Sequence, residues 1–411
     1  MLDIKYIREN VKEVKENIKA RGLSVDVDRL LALDKERKII SERDALNSEL
    51  NSSSKPSATV IEHLRNVKAK RAQTEERLRE IEAEYSSLLF AIPNKTHKDT
   101  PPGKTDEDNV TIRKVGKPPE FKFIPLDHVE LGKRLNLIDF DAGSKVTGSQ
   151  FYFLKNEAVL LEQALINYVL EILRAEGFTL VATPDLAKTE IVENMGYQPR
   201  GPEAQIYNIQ NTDMSLIGTA EIPLGGLYAN ARIDEKNLPI QLAGVSHCFR
   251  TEAGAYGRHS KGLYRVHQFS KVEMFVFCKP EESDAWHQKI VAFEEKIFQG
   301  LEIPYRVVDI CTGDMGAVAY RKYDLEAWMP GRESYGEVTS ASNCTDYQAR
   351  NLNIKFRREG NKVSYVHMLN GTGIAISRAL IAILENNQQA DGSILVPKVL
   401  EKWVGKKVIK G

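Results

Sequence analysis

Arg265, His267, Phe269, Lys271 and Glu273 share one parity in a run of alternating apolar residues that ends at Cys278. A strand sends alternate side chains to opposite faces, so the spacing predicts that these five point one way. The preceding run closes on Arg250 and Glu252, and a Gly-rich basic loop, Gly254 to Gly262, joins the two. The pattern predicts a β-hairpin. Arginines, carboxylates and an aromatic on one sheet face are costly to bury unless something pairs with the charges. An anionic ligand with a planar ring, such as a nucleotide, would do so; a solvated hairpin of mixed charge is the alternative.

Two further clusters carry chemistry. The segment Gly373 to Glu385, GIAISRALIAILE, is apolar on nearly every side and predicts an interior helix with Arg378 in its middle. A buried guanidinium needs a partner, either a carboxylate or a phosphate, whose oxygens its planar fork matches. The preceding Asn370-Gly371-Thr372 offers a hydroxyl suited to a helix cap. In Tyr335 to Cys344, the oxygens of Glu337 and Ser340 suit a hard cation such as Mg²⁺, although Ser, Thr and Asn runs are also ordinary turns. The triplet Thr219-Ala220-Glu221 has no meaning by itself.

The elements that must position these groups follow from periodicity. Residues 1 to about 22 read as one helix. From Val27 to about Leu89 the chain is helical, with one break at Asn51 to Ser57. Its thin apolar stripe runs through Leu30, Leu33, Ile40, Leu46 and Leu50. Beyond the break it continues through Ile61, Leu64, Val67, Leu78, Ile81, Tyr85 and Leu88. Two such helices make an antiparallel hairpin that projects from the body. Arg65, Lys68, Lys70 and Arg71 lie on its second arm with no acid between His63 and Thr74, which reads either as a solvated face or as a phosphate-contacting patch. Prolines 93, 101 and 102 mark a linker from Ile92 to Asn109. The expected units are 1–103 and 104–411, the second of mixed α and β structure with a long helix from Asn156 to Glu176 and another from Glu281 to Gly300.

Composition narrows the class. The 411 residues are 42% hydrophobic and 28% charged, and Lys plus Arg equals Asp plus Glu at 57 each. Any nucleic-acid contact must therefore come from local patches. No run approaches the ~20 apolar residues of a membrane helix, and no membrane partner is expected. Cys248, Cys278, Cys311 and Cys344 lie far apart, so neither disulfides nor structural zinc is expected, and a reducing compartment fits.

Four segments in order resemble seryl-tRNA synthetase, a class II aminoacyl-tRNA synthetase: FRTE, GRHSKGLYRVHQFSKVEM, EVTSASNCTDYQARNLNI and LNGTGIAISRALIAILENNQQADGSILVPKVL. The resemblance spans essentially the whole chain. It implies an α+β fold: an N-terminal coiled-coil hairpin for tRNA and a catalytic domain built on an antiparallel sheet flanked by helices. It also implies ligation of L-serine to tRNA(Ser), and to tRNA(Sec) where present. The intermediate is a seryl-adenylate, with release of AMP and pyrophosphate.

By that resemblance Arg250, Glu337 and Arg378 are catalytic. Arg250, Thr251, Glu252, Arg265, Val266, Phe269, Glu337, Val338, Thr339, Ser340 and Arg378 bind ATP, and Glu337 and Ser340 hold Mg²⁺. Thr219, Ala220, Glu221, Arg250, Glu273, Asn343 and Thr372 bind serine. Arg65, Lys68, Lys70 and Arg71 become contacts to tRNA, gripped through its long variable arm. The helix from Asn156 builds a homodimer interface, and residence is cytoplasmic, or in an organellar matrix with a leader outside this chain. The chain departs from the usual pattern at Thr372, where serine is frequent, and at Gly336, where arginine is common. Ala341 stands for a common cysteine, and His259-Ser260-Lys261 for Asp-Thr-Arg. A carrier-protein ligase lacks the hairpin, and a catalytically dead relative would be expected to lose Arg250, Glu337 or Arg378.

Overall fold

The computed structural model describes residues 1–37, 39–52, 58–197, 205–253 and 261–411. Two compact units follow one another, Met1–Lys95 and Thr96–Gly411. In the first, the single expected opening helix is two, α1 (Ile4–Glu9) and α2 (Val11–Ala20). Asn10 separates them at φ −130°, ψ 38°, and its amide bonds back to the Tyr6 carbonyl, a local alternative to helix that asparagine favours.

The first arm of the hairpin is likewise split, into α3 (Val27–Glu36) and α4 (Ile39–Ser52), and both pack on α5 (Ala58–Ala91). At 1.5 Å per residue the 34-residue α5 runs roughly 50 Å. Leu30, Leu33, Leu46, Val67, Leu78, Ile81 and Tyr85 are buried as the stripe requires, and Leu89 is buried in place of Leu88. The side chains of Leu50, Ile61 and Leu64, and the turn at 53–57, lie outside the described residues. Arg29 grips Glu84 with two bonds of 2.8 and 2.5 Å, and Arg37 lies 4.3 Å over the Tyr85 ring. The exposed Arg29–Glu84 pair adds little stability, but both contacts fix register between the arms.

The second unit is organised by one sheet. Its strands are β1 (Val110–Val115), β2 (Thr179–Ala182), β3 (Ile240–Phe249), β4 (Gln268–Cys278), β5 (Tyr305–Asp309), β6 (Arg321–Met329), β7 (Ser334–Asn343) and β8 (His367–Ala375). They lie in the order β1-β5-β6-β7-β8-β4-β3-β2. Neighbours are antiparallel except β2 and β3, which are parallel. The fold is α+β, as the sequence led one to expect. Three helices, α6 (Glu157–Ala175), α7 (Ser283–Gly300) and α8 (Ile376–Asn386), share a single apolar core with Val272, Met274 and Val276 of β4. Phe275 and Phe277, of the other parity, are fully buried in a second core on the opposite face, with Ile217 and Ile222. Burying each such side chain contributes about 1.5–3 kcal/mol.

Helix α8 begins later than its composition suggested. Gly373, Ile374 and Ala375 complete β8, and the helix starts at Ile376. Arg378 is therefore in the first turn of α8, not its middle. Thr372 is a strand residue opposite Glu273, not a cap.

Candidate active site

The β3–β4 hairpin pairs Phe249 with Gln268 and Cys248 with Phe269, so Arg250 and Glu252 leave the sheet where Phe269 enters it. Beside them opens a cleft enclosing about 430 Å³, part of it continuous with solvent. Strand β4 supplies Phe269 and Lys271 to its wall, and the α8 junction supplies Ala375, Ser377 and Arg378. Alternation holds along β4 itself, with Val272 and Met274 turned to the helices. It fails upstream of the strand. Regular strand begins only at Gln268, and in the irregular segment before it Tyr264 and Val266 line the cleft while Arg265 and His267 do not. Arg265 instead reaches Glu252, 3.0 Å away, and the His267 ring bonds the Arg250 carbonyl at 2.8 Å.

Two strand irregularities complete the wall. Leu325 pairs with Thr339 but Glu326 pairs with Glu337, leaving Val338 as an extra residue in β7. Glu337 and Ser340, three apart, would face opposite ways on a regular strand. The bulge puts both on the face of Glu326 and Asp324. Similarly, Thr372 pairs with Glu273 and Ile374 with Val272, with Gly373 as the extra residue. A β-carbon there would lie 3.0 Å from Val169, so glycine permits the close approach of β8 to α6.

The charges are arranged as couples around an open space. Arg378 Nη1 lies 3.0 Å from Glu337 Oε1, and Lys271 Nζ lies 2.5 Å from Glu273 Oε2. The Thr372 hydroxyl donates to the same Glu273 oxygen at 3.5 Å. Burial acts to raise the pKa of Glu337, yet Arg378, Lys322 and Arg250 outweigh it and hold the carboxyl down to about 2. Arg250 lies 5.3 Å from the Phe269 ring centre and donates through Nε to the Gly218 carbonyl at 3.2 Å. That bond ties it to the segment carrying Thr219 and Glu221. Glu252 holds φ 50°, an uncommon conformation for a residue with a side chain, of the kind that collects at functional sites.

Behind the cleft, Glu221 is buried and both its oxygens are engaged, by Tyr197 Oη at 2.8 Å and Gln348 Nε2 at 2.7 Å. Burial first, and then Glu273, push its pKa up. Thr219 Oγ1 accepts the Glu221 N–H at 3.2 Å, and Ala220 packs in the core. Asn343 is not brought to the wall: its amide donates to Asp284 at 3.1 Å and accepts the Thr345 N–H at 3.0 Å. Thr251 and Ser340 are also absent from the wall, whereas Val338 and Thr339 belong to it. His259 and Ser260 lie outside the described residues, and Lys261 forms an ion pair with Asp127. Sequence reasoning placed Lys271 on the face of Phe269 but gave it no role; the structure sets it at the wall, paired with Glu273. That reasoning missed Tyr264, Tyr197 and Gln348, for which no pattern gave a signal.

On α5, Arg65, Lys68 and Lys70 are exposed, and Arg71 pairs with Glu75 one turn on at 3.2 Å. Among the described residues no group of three or more His, Cys, Asp or Glu side chains is placed to hold a metal. The four cysteines are free and buried, and no described helix is long and apolar enough to cross a membrane.

Comparison with known proteins bears on the whole arrangement. Residues 1–96 match the seryl-tRNA synthetase N-terminal domain, and residues 206–387 the tRNA synthetase class II core domain (G, H, P, S and T). The serine–tRNA ligase of Rubrobacter xylanophilus is 53% identical over 100% of this chain and 99% of its own, and that of Dictyoglomus thermophilum 55% over the same shares. The crystal structure of seryl-tRNA synthetase from Pyrococcus horikoshii complexed with ATP superposes with a TM-score of 0.88. It is 43% identical and covers 100% of this chain and 99% of that one. Full-length likeness of this order, on a sheet and cleft of this form, makes the chain a class II aminoacyl-tRNA synthetase that belongs to the seryl-tRNA synthetase family.

Proposed function

We propose that the cleft binds ATP and L-serine, joins them as seryl-adenylate, and transfers the seryl group to tRNA(Ser), or to tRNA(Sec) where present. One observation carries this reading. Arg250, Glu252, Phe269, Glu337, Thr372 and Arg378, drawn from five separate segments, meet around one opening.

Phe269 and Arg378 form the two faces between which adenine stacks, and Glu252 receives its amino group. Arg250, between Phe269 and the serine segment, holds the α-phosphate against the serine carboxylate. A carboxylate oxygen attacks the α-phosphorus as the bond to the β-phosphate oxygen breaks, and pyrophosphate leaves. The guanidinium is in place for charge spread over the equatorial oxygens, so little reorganisation accompanies the reaction. A tRNA 3′-terminal hydroxyl then attacks the seryl carbonyl carbon, and AMP leaves. Glu221 and Glu273 receive the serine ammonium; Thr372 and Glu273 receive its hydroxyl. A pocket that hydrogen-bonds the hydroxyl rejects alanine by stranding polar groups, while threonine must meet a steric wall.

Mg²⁺ is commonly held by one or two protein oxygens together with substrate phosphates. The bulge that turns Glu337 and Ser340 to one face fits that demand, and buried Asp324 stands opposite Ser340 with Oδ1 lacking a hydrogen-bond partner. The ion would neutralise phosphate charge between those ligands.

The first unit serves tRNA recognition. Arg65, Lys68 and Lys70 contact phosphates of the long variable arm by shape rather than base sequence. Val159 and Leu160, about two-fifths exposed on α6, suit a homodimer interface. We assign the activity to the cytoplasm. Serine-dependent exchange of pyrophosphate into ATP, run beside tRNA charging, tests the reading: exchange is expected with serine and little or none with threonine or alanine. Equal exchange with all three would overturn it.

A further inference from the structure

Phe269, Lys271 and Glu273 occupy alternate positions of β4 and so share a face, roughly 6.8 Å from one to the next. Their exposure falls from 9 to 5 to 2% along the strand. Phe269 and Lys271 line the cleft. Glu273 lies behind it, with Oε2 2.5 Å from Lys271 Nζ and accepting the Thr372 hydroxyl at 3.5 Å. Lys271 thus stands at the boundary between the open cleft and the carboxylate behind it. Its cross-strand neighbours are Ser246 in β3 and Ala375 in β8, and neither is long enough to cover it.

Folding does not call for an ammonium at this point. A buried ion pair is weak ground for stability, because desolvating both ions offsets their attraction. Ala375 belongs to an apolar cluster with Cys248, Val266 and Phe269, which an apolar side chain at 271 would extend. Burial pushes the pKa of the Cys248 thiol up, and Lys271 and then Arg250 are the cations that oppose it. Both cations therefore approach the same part of the wall.

The reading of the cleft puts the base on Phe269 and the serine ammonium at Glu273. The reacting atoms, the α-phosphorus and the serine carboxylate, then lie between these two ends, over Lys271. An ammonium has three donors and no acceptor, so Lys271 can hold Glu273 and an incoming anion together. The serine ammonium also competes with it for the Glu273 carboxylate, which turns the lysine toward the anions in the cleft.

We propose that Lys271 is a catalytic residue of adenylate formation, its ammonium contacting a non-bridging oxygen of the α-phosphate as the serine carboxylate attacks. The inference rests on the ATP and serine reading of the cleft. A carboxylate oxygen forms the bond to the α-phosphorus, the bond to the β-phosphate oxygen breaks, and pyrophosphate leaves with that electron pair. Lys271 keeps its proton throughout and supplies charge, beside Arg250, where negative charge gathers on the phosphate.

The test is serine-dependent exchange of pyrophosphate into ATP by the full chain, unaltered and as Lys271→Gln and Lys271→Met. Glutamine can still donate to Glu273 but carries no charge. In both variants kcat is expected to fall about 10²–10³-fold, the scale for a preorganised electrostatic contact. The KM for serine is expected to change less than about threefold, since the contact belongs to the transition state. If Lys271→Gln keeps kcat within about fivefold of the unaltered protein, the lysine only props Glu273 and the proposal fails; a loss confined to KM for serine overturns it too.

A second readout is one that propping leaves alone: the rates with the two diastereomers of ATP that carry sulfur at the α-phosphate. Their ratio is expected to shift at least about fivefold in Lys271→Gln, the worth of one net hydrogen bond, and an unchanged ratio overturns the proposal. No serine-dependent exchange by the unaltered protein would refute the reading of the cleft itself, which separates the two failures. Unfolding midpoints on the same preparations identify a folding defect, and Lys271→Gln keeps Glu273 partnered should methionine unsettle the strand.

Discussion

Arg378 and Glu337 are joined twice. Nη1 of the arginine lies 3.0 Å from the carboxylate Oε1 and 3.1 Å from the backbone carbonyl oxygen of the same residue. The first turn of α8 is thereby fastened to the bulge in β7, and the pair borders the cleft without filling it. In the free protein each group holds the other in the charged state and in place, ready for a ligand that carries both phosphate and a cation.

Glu337→Gln should therefore lower exchange activity by roughly 10²–10³-fold, the scale for losing a preorganised electrostatic contact, while leaving the fold intact. Exchange rates and unfolding midpoints measured on the same preparation check it. A fall of less than fivefold would remove Glu337 from the chemistry. Arg250→Ala should abolish exchange altogether.

Serine binding should release protons. Burial and the neighbouring Glu273 raise the pKa of Glu221 in the empty pocket, and an arriving ammonium favours its ionised form. Affinity for serine then rises with pH until Glu221 is ionised before binding. Calorimetry in two buffers of different ionisation enthalpy measures the released protons, and Glu221→Gln should cancel the release. No buffer dependence in the unaltered protein would contradict the assignment.

His287 sets an acid limit on stability. It is buried on α7, its Nε2 3.0 Å from the Ala341 carbonyl, and burial pushes its pKa from 6.5 down to about 4. The unfolded chain takes up the proton more readily than the folded one. The stability it confers is present above about pH 6.5 and is lost as pH falls toward 4, a change of about 3 kcal/mol. His287→Gln should flatten the unfolding midpoint across that window relative to the unaltered protein.

Replacing Arg65, Lys68 and Lys70 together by Glu should cut kcat/KM for tRNA charging by at least about tenfold and make it less salt-dependent, because phosphate contacts release counterions. Serine-dependent exchange should be unaffected. Equal losses in both assays would show that the patch serves the body of the enzyme instead.

Much of this site was legible in the chain itself. Side-chain alternation placed Phe269, Lys271 and Glu273 on one face because a pleat has a fixed period. The apolar character of the segment around Arg378 announced a buried cation, and the ordered signatures announced the family. What the chain did not disclose came from places where the backbone leaves its period. The extra residue at Val338 turns Glu337 and Ser340 to one side, and the one at Gly373 breaks the register just after Thr372, which stands opposite Glu273. The irregular backbone before Gln268 exchanges Arg265 for Val266 at the wall. Helix composition could not say that Gly373 to Ala375 are strand, since short apolar runs serve either element. The pairing of Arg378 with Glu337, and of Glu221 with Tyr197 and Gln348, joins residues far apart in the chain. Only the strand register and the packing of the helices bring them within hydrogen-bonding reach.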